Sequence, residues 1–451
     1  MNSDIVVIGA GASGLMAAYS AAKTLVDKGS SAQVTLLEKM PRAGRKIMIT
    51  GKGRCNFTNV KDWNDFSSHI RSKSNFVKSA FYAFPPQKVI DFFTSYGMES
   101  VVERGDRAFP SSYHASDVVD TLVTACLGKG VKIVFEAEVR NVEKKAEQFR
   151  ISMADGTCYN CKKLIMATGG LSYPTTGSTG DGLEWAKILG HRIVPTFPSL
   201  TALVPEGYKE EASKGHIHRQ TPLSEFGQML CGIQLKNVGL QLYVQDNMVQ
   251  EEFGDLDFTD GGIEGPIGFA VSRKAVKSLI NGSKVKLVLD LKSGVSLTEL
   301  TARVKELWVE VDKDPRSRNL HEKQKAKILL GKLMPWELIP AFVACHPEII
   351  TLERQGRTKT KVWINLGSIA KALKSWIFDI IGYVGYERAV VTAGGVDTDE
   401  FVAKTFESRI CPGLYLCGEI LDIDADTGGY NLQLAFCTGN MAGENCAKAL
   451  L

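Results

Sequence analysis

Ile5-Val6-Val7-Ile8-Gly9-Ala10-Gly11-Ala12-Ser13-Gly14 is the stretch that decides the fold. An apolar β-run passes directly into Gly9-x-Gly11-x-x-Gly14, and an Ala-rich helical stretch from Leu15 to Leu25 follows. Val34-Thr35-Leu36-Leu37-Glu38 then reads as a second strand ending in a carboxylate. Gly9 permits the tight turn, Gly11 lets the backbone approach a pyrophosphate, and Gly14 lets helix and strand lie close together. Ala12 and Ser13 open the helix, whose N-terminus offers unpaired N–H groups and a positive dipole end to the phosphates. Glu38, with Lys39 beside it, is placed to accept hydrogen bonds from a ribose hydroxyl. A lone Gly-x-Gly-x-x-Gly occurs by chance in many glycine-rich loops. Strand, turn, helix, second strand and acid in this order specify a dinucleotide site.

The same apolar run could be read as a secretory or membrane segment. Asp4, the lack of any Lys or Arg before the run, and the interspersed glycines and serines argue against both. No membrane partner is expected, and a cytoplasmic location is. The length of 451 residues suggests two or three domains. A net charge of +4 is too small to imply a nucleic-acid partner, and the basic stretch from Arg303 to Lys332 reads as the solvated face of helices. The ten scattered cysteines indicate reduced thiols. Cys158 and Cys161 form a CxxC without a second pair, and His216-x-His218 lies in a polar loop, so no metal site is expected.

The N-terminal third alternates strands and helices, with helical patterns over 75–97 and 115–129 and a strand and hairpin over 131–153. From about Pro195 short β-like runs take over, and residues 266–345 are mostly helical in pattern apart from a strand at Lys284–Leu291. Strand–helix alternation resumes at Val362. The expected class is α/β. A Rossmann-like domain of residues 1–194 and 362–451 is interrupted by an insert: a β-barrel subdomain from 195–265 and 341–361, and a small helical one from 266–340.

Further strand ends point to a flavin. Ala167-Thr168-Gly169-Gly170 ends a strand with glycines, where backbone can pass close to a flat ligand. Leu414-Tyr415-Leu416-Cys417-Gly418-Glu419 is another strand ending in Gly-acid. Thr427-Gly428-Gly429-Tyr430-Asn431-Leu432-Gln433 opens the last helix, whose N-terminus can face the flavin edge where negative charge gathers on reduction. In the loop Gly44–Asn59, Lys46, Lys52 and Arg54 can neutralise pyrophosphate, and Asn56 and Thr58 can hydrogen-bond the ring edge. Gly44, Arg45, Thr50, Gly51, Gly53 and Cys55 of this loop, together with Val139 and Asp181, complete the expected cofactor contacts.

With these motifs the sequence resembles the BaiN/RdsA-like family of FAD-dependent oxidoreductases, bacterial conserved flavoproteins also called aminoacetone-oxidase-like. The matches run through Gly44-Arg-Lys46, Thr50–Asn59, Arg107-Ala-Phe-Pro110, Ala167–Gly170, Tyr173–Gly182, Thr259–Pro266, Val391–Val396 and Gly428–Gln433. Asp260 stands where the family usually has His, and Glu264 where it usually has Ser. The resemblance implies a flavin domain of the glutathione-reductase or fumarate-reductase type carrying an inserted barrel.

Arg54, Arg107, Tyr173 and Tyr430 are the candidates for substrate chemistry: an Arg can hold a carboxylate or carbonyl, and a phenol can donate a proton to an enolate. A second Gly-x-Gly-x-x-Gly for bound nicotinamide is missing, so NAD(P)H is expected only as a transient donor. The expected function is hydride transfer between the flavin and a small or medium-sized organic substrate, foremost reduction of an activated C=C bond. The alternatives are an oxidase acting on an amine or aminoketone with O₂, and a flavin-containing nucleic-acid-modifying or regulatory protein.

Overall fold

Ile5, Val6, Val7 and Ile8 are all buried, because the strand Asn2–Ile8 lies inside a parallel sheet covered on both faces. The computed structural model describes residues 1–355 and 359–451. In the sheet the strands follow the order Lys132–Val134, Val34–Leu37, Asn2–Ile8, Cys158–Met166. The free edge of Cys158–Met166 is shared. Its first half pairs antiparallel with Gln148–Met153, which forms a hairpin with Val139–Lys145, and its second half pairs parallel with Leu414–Leu416. Ile8 pairs with both Leu37 and Met166, Leu37 pairs with Val134, and Met166 pairs with Leu416. The parallel strands therefore end on one line, and the residues that follow (Gly9, Glu38, Ala167 and Cys417-Gly418) emerge side by side. Ligands bind at such carboxyl-end crevices in open α/β sheets.

The chain divides into two units, Met1–Ser199 with Ala389–Leu451, and Leu200–Arg388. In the first, the helices Ala12–Asp27 and Tyr430–Lys448 cross closely. A Cβ on Gly439 or Gly443 would run into the backbone of Ser13 or Ala17, so only glycine allows the approach. The second unit contains a closed barrel. Strands Leu203–Pro205, Gly262–Glu264, Asn247–Thr259, Gln234–Val244, Val285–Asp290 and Trp376–Val384 are paired in that order, and the last pairs back with the first. Helices Leu297–Lys313, Glu322–Gly331, Ile339–Cys345 and Leu366–Lys374 follow Val285–Asp290 in this unit.

These boundaries differ from those read in the sequence. Val285–Asp290, expected within a helical subdomain, is a barrel strand because it pairs on both edges, with Gln234–Val244 and Trp376–Val384. Residues 362–388, expected in the nucleotide domain, belong to the barrel unit because Trp376–Val384 closes the ring. The expected 341–361 barrel segment is not in the barrel: Ile350–Gln355 pairs with Lys359–Ile364 in a separate two-stranded sheet, and residues 356–358 lie outside the described residues. The 75–97 helical pattern is two helices, Ser74–Ala83 and Pro86–Ser95, split where Pro85 and Pro86 interrupt the amide ladder.

Candidate dinucleotide cleft

At the carboxyl edge of the sheet lies a solvent-open cleft in the first unit. The Gly9–Gly14 turn forms its floor. Gly9 has φ +101°, and a Cβ there would stand 2.6 Å from the Ala167 carbonyl oxygen. Gly14 is closed in by the Gly9 carbonyl and does not face the cleft. Gly11 lines the cleft, and a Cβ on it would meet no protein atom within 4 Å. The glycine leaves that space to a ligand. Ala12 and Ser13 also line the cleft, at the first turn of a helix whose leading N–H groups have no intrahelical acceptor.

Glu38 accepts the Ala10 N–H on Oε2 at 2.7 Å and the Met40 N–H on Oε1 at 2.8 Å. Burial raises its pKa against the lowering effect of these two donors. Lys39 is tied to Asp181, 2.7 Å away, so these two cleft residues neutralise one another. Lys46 is likewise 2.7 Å from Glu419, whose other oxygen accepts the Thr392 N–H at 2.8 Å. Arg42 and Arg45 line the same cleft without a close ion pair among the described residues, the Arg45 charge acting on Glu38 from farther off. They supply the uncommitted positive charge that a diphosphate needs. Thr168 lines the cleft, while its hydroxyl is buried beside Gly182, where an added Cβ would stand 2.0 Å from it, without a hydrogen-bond partner. Open space at Gly11 and the Arg42 and Arg45 guanidiniums together fit a dinucleotide.

Gly44, Thr50, Val139, Ala167, Gly169, Gly418, Asn431 and Leu432 also line the cleft, as the sequence suggested. Several suggested residues do not. Gly170 abuts Thr392, Gly51 and Gly53 turn the loop at positive φ, and Cys55 is buried with its thiol pushed up to about 12 by desolvation. Gly428 lies against the Tyr430 ring, and Gly429 against the Thr58 carbonyl and the orphaned Asn56 Oδ1. The last helix therefore reaches the cleft through Asn431, Leu432, Leu434, Ala435 and Thr438, and the two glycines serve the turn before it.

The four catalytic candidates lie outside the cleft lining. The Arg54 and Arg107 guanidiniums both approach Glu103, at 3.8 and 3.7 Å, and flank the Phe109 ring. Glu103 accepts its close hydrogen bond from the Tyr113 hydroxyl, at 3.0 Å. Tyr173, at φ +51°, precedes the short Pro174–Thr176 turn, and its carbonyl accepts the Thr176 N–H. Tyr430 is buried, with its ring on His69 and edge-on to Phe66. In the second unit, Asp260 and Glu264 share Arg388, which donates to Asp260 Oδ1 at 2.6 Å and to both Glu264 oxygens. Arg42 escaped the sequence reading because one arginine in a loop carries no pattern. Thr176–Thr179, Val390 and Ile423 escaped because only the folded chain brings them to the cleft. Among the described residues there is no cluster able to hold a metal and no helix long and apolar enough to cross a membrane.

A family model described as "HI0933-like protein Rossmann domain" matches residues 3–445. The chain belongs to the HI0933-like family. This is the same family as the BaiN/RdsA-like one that the sequence motifs resemble, and the chain is an FAD-dependent oxidoreductase with a Rossmann-type nucleotide-binding domain. It is 30% identical over 445 residues to a 3-dehydro-bile acid delta(4,6)-reductase of Clostridium scindens, covering 98% of each chain. It is 28% identical over 435 residues to a ribosomal RNA dihydrouridine synthase of Escherichia coli, covering 96% of this chain and 95% of the other. Among solved structures, a 3-ketosteroid delta1-dehydrogenase of Sterolibacterium denitrificans is similar with a TM-score of 0.49 at 12% identity, over 99% of this chain and 100% of that one.

Proposed function

We propose that this chain reduces a carbon–carbon double bond conjugated to a carbonyl in a small or medium-sized organic substrate, with NAD(P)H as a transient donor. One observation carries the reading: the three relatives matched over at least 95% of both chains are named for reactions of one chemical kind. A delta(4) bond beside a 3-keto group is an enone, and dihydrouridine is uridine saturated at the C5=C6 bond conjugated to its C4 carbonyl. FAD bound in the cleft would supply hydride transfer.

The chain's own residues have separable tasks. Gly11 and the first helix receive the diphosphate, Arg42 and Arg45 balance its charge, and Glu38 takes the ribose hydroxyls. Arg54 and Arg107 hold guanidinium donors that Glu103 only partly engages, suited to gripping a substrate carbonyl or carboxylate. The absence of a second Gly-x-Gly-x-x-Gly in the sequence supports a donor that docks and leaves.

A second reading, the uracil ring of an RNA as substrate, is favoured by the names of the Escherichia coli and Haemophilus influenzae relatives. Anaerobic reduction with NADH or NADPH, followed by mixing with a steroid enone, a uracil-containing RNA or O₂, separates the cases. The proposal expects the enone to reoxidise the flavin at least tenfold faster than O₂. Reoxidation by RNA alone selects the second reading, and reoxidation by O₂ alone makes the chain an oxidase.

A further inference from the structure

We propose that His69, oriented by Asp426, delivers the proton when the double bond is reduced; the proposal rests on the reductase reading above. Saturating a conjugated C=C bond needs a hydride at the β-carbon and a proton at the α-carbon, and the chain must furnish the proton.

His69 follows the helix Trp63–Ser68 and lies flat on the Tyr430 ring, with centroids 4.3 Å apart at 17°. Its Nδ1 is 3.0 Å from Asp426 Oδ2. Asp426 is itself fixed: Arg71 donates to Oδ1 at 2.6 Å and also to Oδ2, and the Asp426 N–H donates to the His69 carbonyl at 3.0 Å. An imidazole whose Nδ1–H is taken by a carboxylate has its orientation set and its other nitrogen free for proton traffic. Among the described residues Nε2 has no hydrogen-bond partner, and the side chain is 33% exposed, so water can restore its proton.

His69 and Asp426 stand outside the cleft lining, and Asp426 is joined to it through one stretch of chain. Ile423, Asn431 and Leu432 line the cleft, and between them lie Asp426 and Tyr430. Asn431 closes this stretch on itself. Its Oδ1 accepts the Ala425 N–H at 2.9 Å, and its Nδ2 donates to the carbonyls of Ala425 and Asp426 at 2.9 and 3.1 Å. Tyr430, a donor candidate on sequence grounds, is a poorer acid here because burial pushes its phenol well above the usual range. His69 drew no attention in the sequence because it stands alone there, 357 positions from its carboxylate.

The balance closes. The β-carbon takes the hydride that originates on NAD(P)H, the α-carbon takes the proton from Nε2, and solvent protonates the neutral imidazole. The sum is substrate, NAD(P)H and one proton giving reduced substrate and NAD(P)⁺.

Stopped-flow spectroscopy on holoenzyme with full FAD content tests this. His69→Gln is expected to be reduced by NAD(P)H and reoxidised by O₂ within twofold of the wild-type rates, yet reoxidised by the enone at least 100-fold more slowly. Free imidazole is expected to restore part of the rate to His69→Ala, as it cannot for a residue that only holds structure. Asp426→Asn, which leaves the ring in place, is expected to slow the enone step alone. Wild-type enone rates in His69→Gln overturn the proposal. Equal slowing of both half-reactions without imidazole rescue overturns it too. If no enone reoxidises the wild-type protein, the reductase reading itself fails and the proton role falls with it.

Discussion

Gly11 and Gly14 stand three residues apart and answer to different constraints. Gly11 leaves open space to a ligand, whereas Gly14 lets the first helix touch the strand turn. Gly11→Val should therefore keep the fold, with a stability change within about 0.5 kcal/mol, and lose FAD. Gly14→Val should destabilise by about 2–3 kcal/mol from overpacking. Urea unfolding and FAD absorbance per mole of protein distinguish the two. The cysteines separate as sharply. The Arg150 guanidinium donates to half-buried Cys158, and the thiol's hydrogen bonds with Arg150 and Ser152 lower its pKa, while burial raises Cys55, Cys126 and Cys161 to about 12. Mass spectrometry after alkylation at neutral pH should find Cys158 modified before these three. Cys158 and Cys161, three positions apart on one strand, face opposite sides of the sheet and do not act as a CxxC pair.

At the scale of elements, the last helix is held by glycines at both ends of its contact surface. Gly429, at φ +93°, caps it against the Thr58 backbone, and Gly439 and Gly443 admit the first helix. From the sequence alone, Gly429 is expected to let backbone approach the flavin and tune its potential. Its neighbours in the structure are protein atoms, so Gly429→Val should lose stability, by at least about 2 kcal/mol from left-handed strain and collision, and lose FAD as a consequence. A variant with unchanged unfolding midpoint but a shifted flavin potential would restore the sequence-based view. Gly443→Leu should act at a distance: pushing the helices apart moves Ser13 and the phosphate-facing turn, so FAD affinity falls together with thermal stability. Differential scanning fluorimetry with and without added FAD measures both.

At the scale of the whole molecule, the barrel unit enters at the tip of a ribbon. Ile193–Ser199 pairs antiparallel with Val391–Val396, and Ser199 lies opposite Val391. Replacing residues 200–388 with a short Asn-Gly turn should leave a unit that folds and binds FAD, because the ribbon ends already stand at hairpin distance. Every residue of the cleft lining belongs to this unit. Residues 1–190 alone should fail, since they lack the Leu414–Leu416 strand, Gly418, Glu419 and the last helix. Equilibrium dialysis with FAD on the two proteins checks both expectations, and tight binding by residues 1–190 would refute the two-segment site.

The sequence by itself determined the nucleotide fold and most of the cleft floor. Glycine spacing, a buried apolar run and a strand-terminal carboxylate are local signals, each dictated by backbone conformation or by period within a few residues. Local order could not say that Val285–Asp290 closes a barrel, because strand pairing is a property of two edges and not of one segment. Nor could it tell a glycine that faces a ligand, such as Gly11, from one that faces another strand, such as Gly429. Both have the same freedom of backbone, and only the tertiary structure supplies what stands opposite. The pairing of His69 with Asp426 is of this second kind, since neither residue type nor spacing encodes a contact made across the fold.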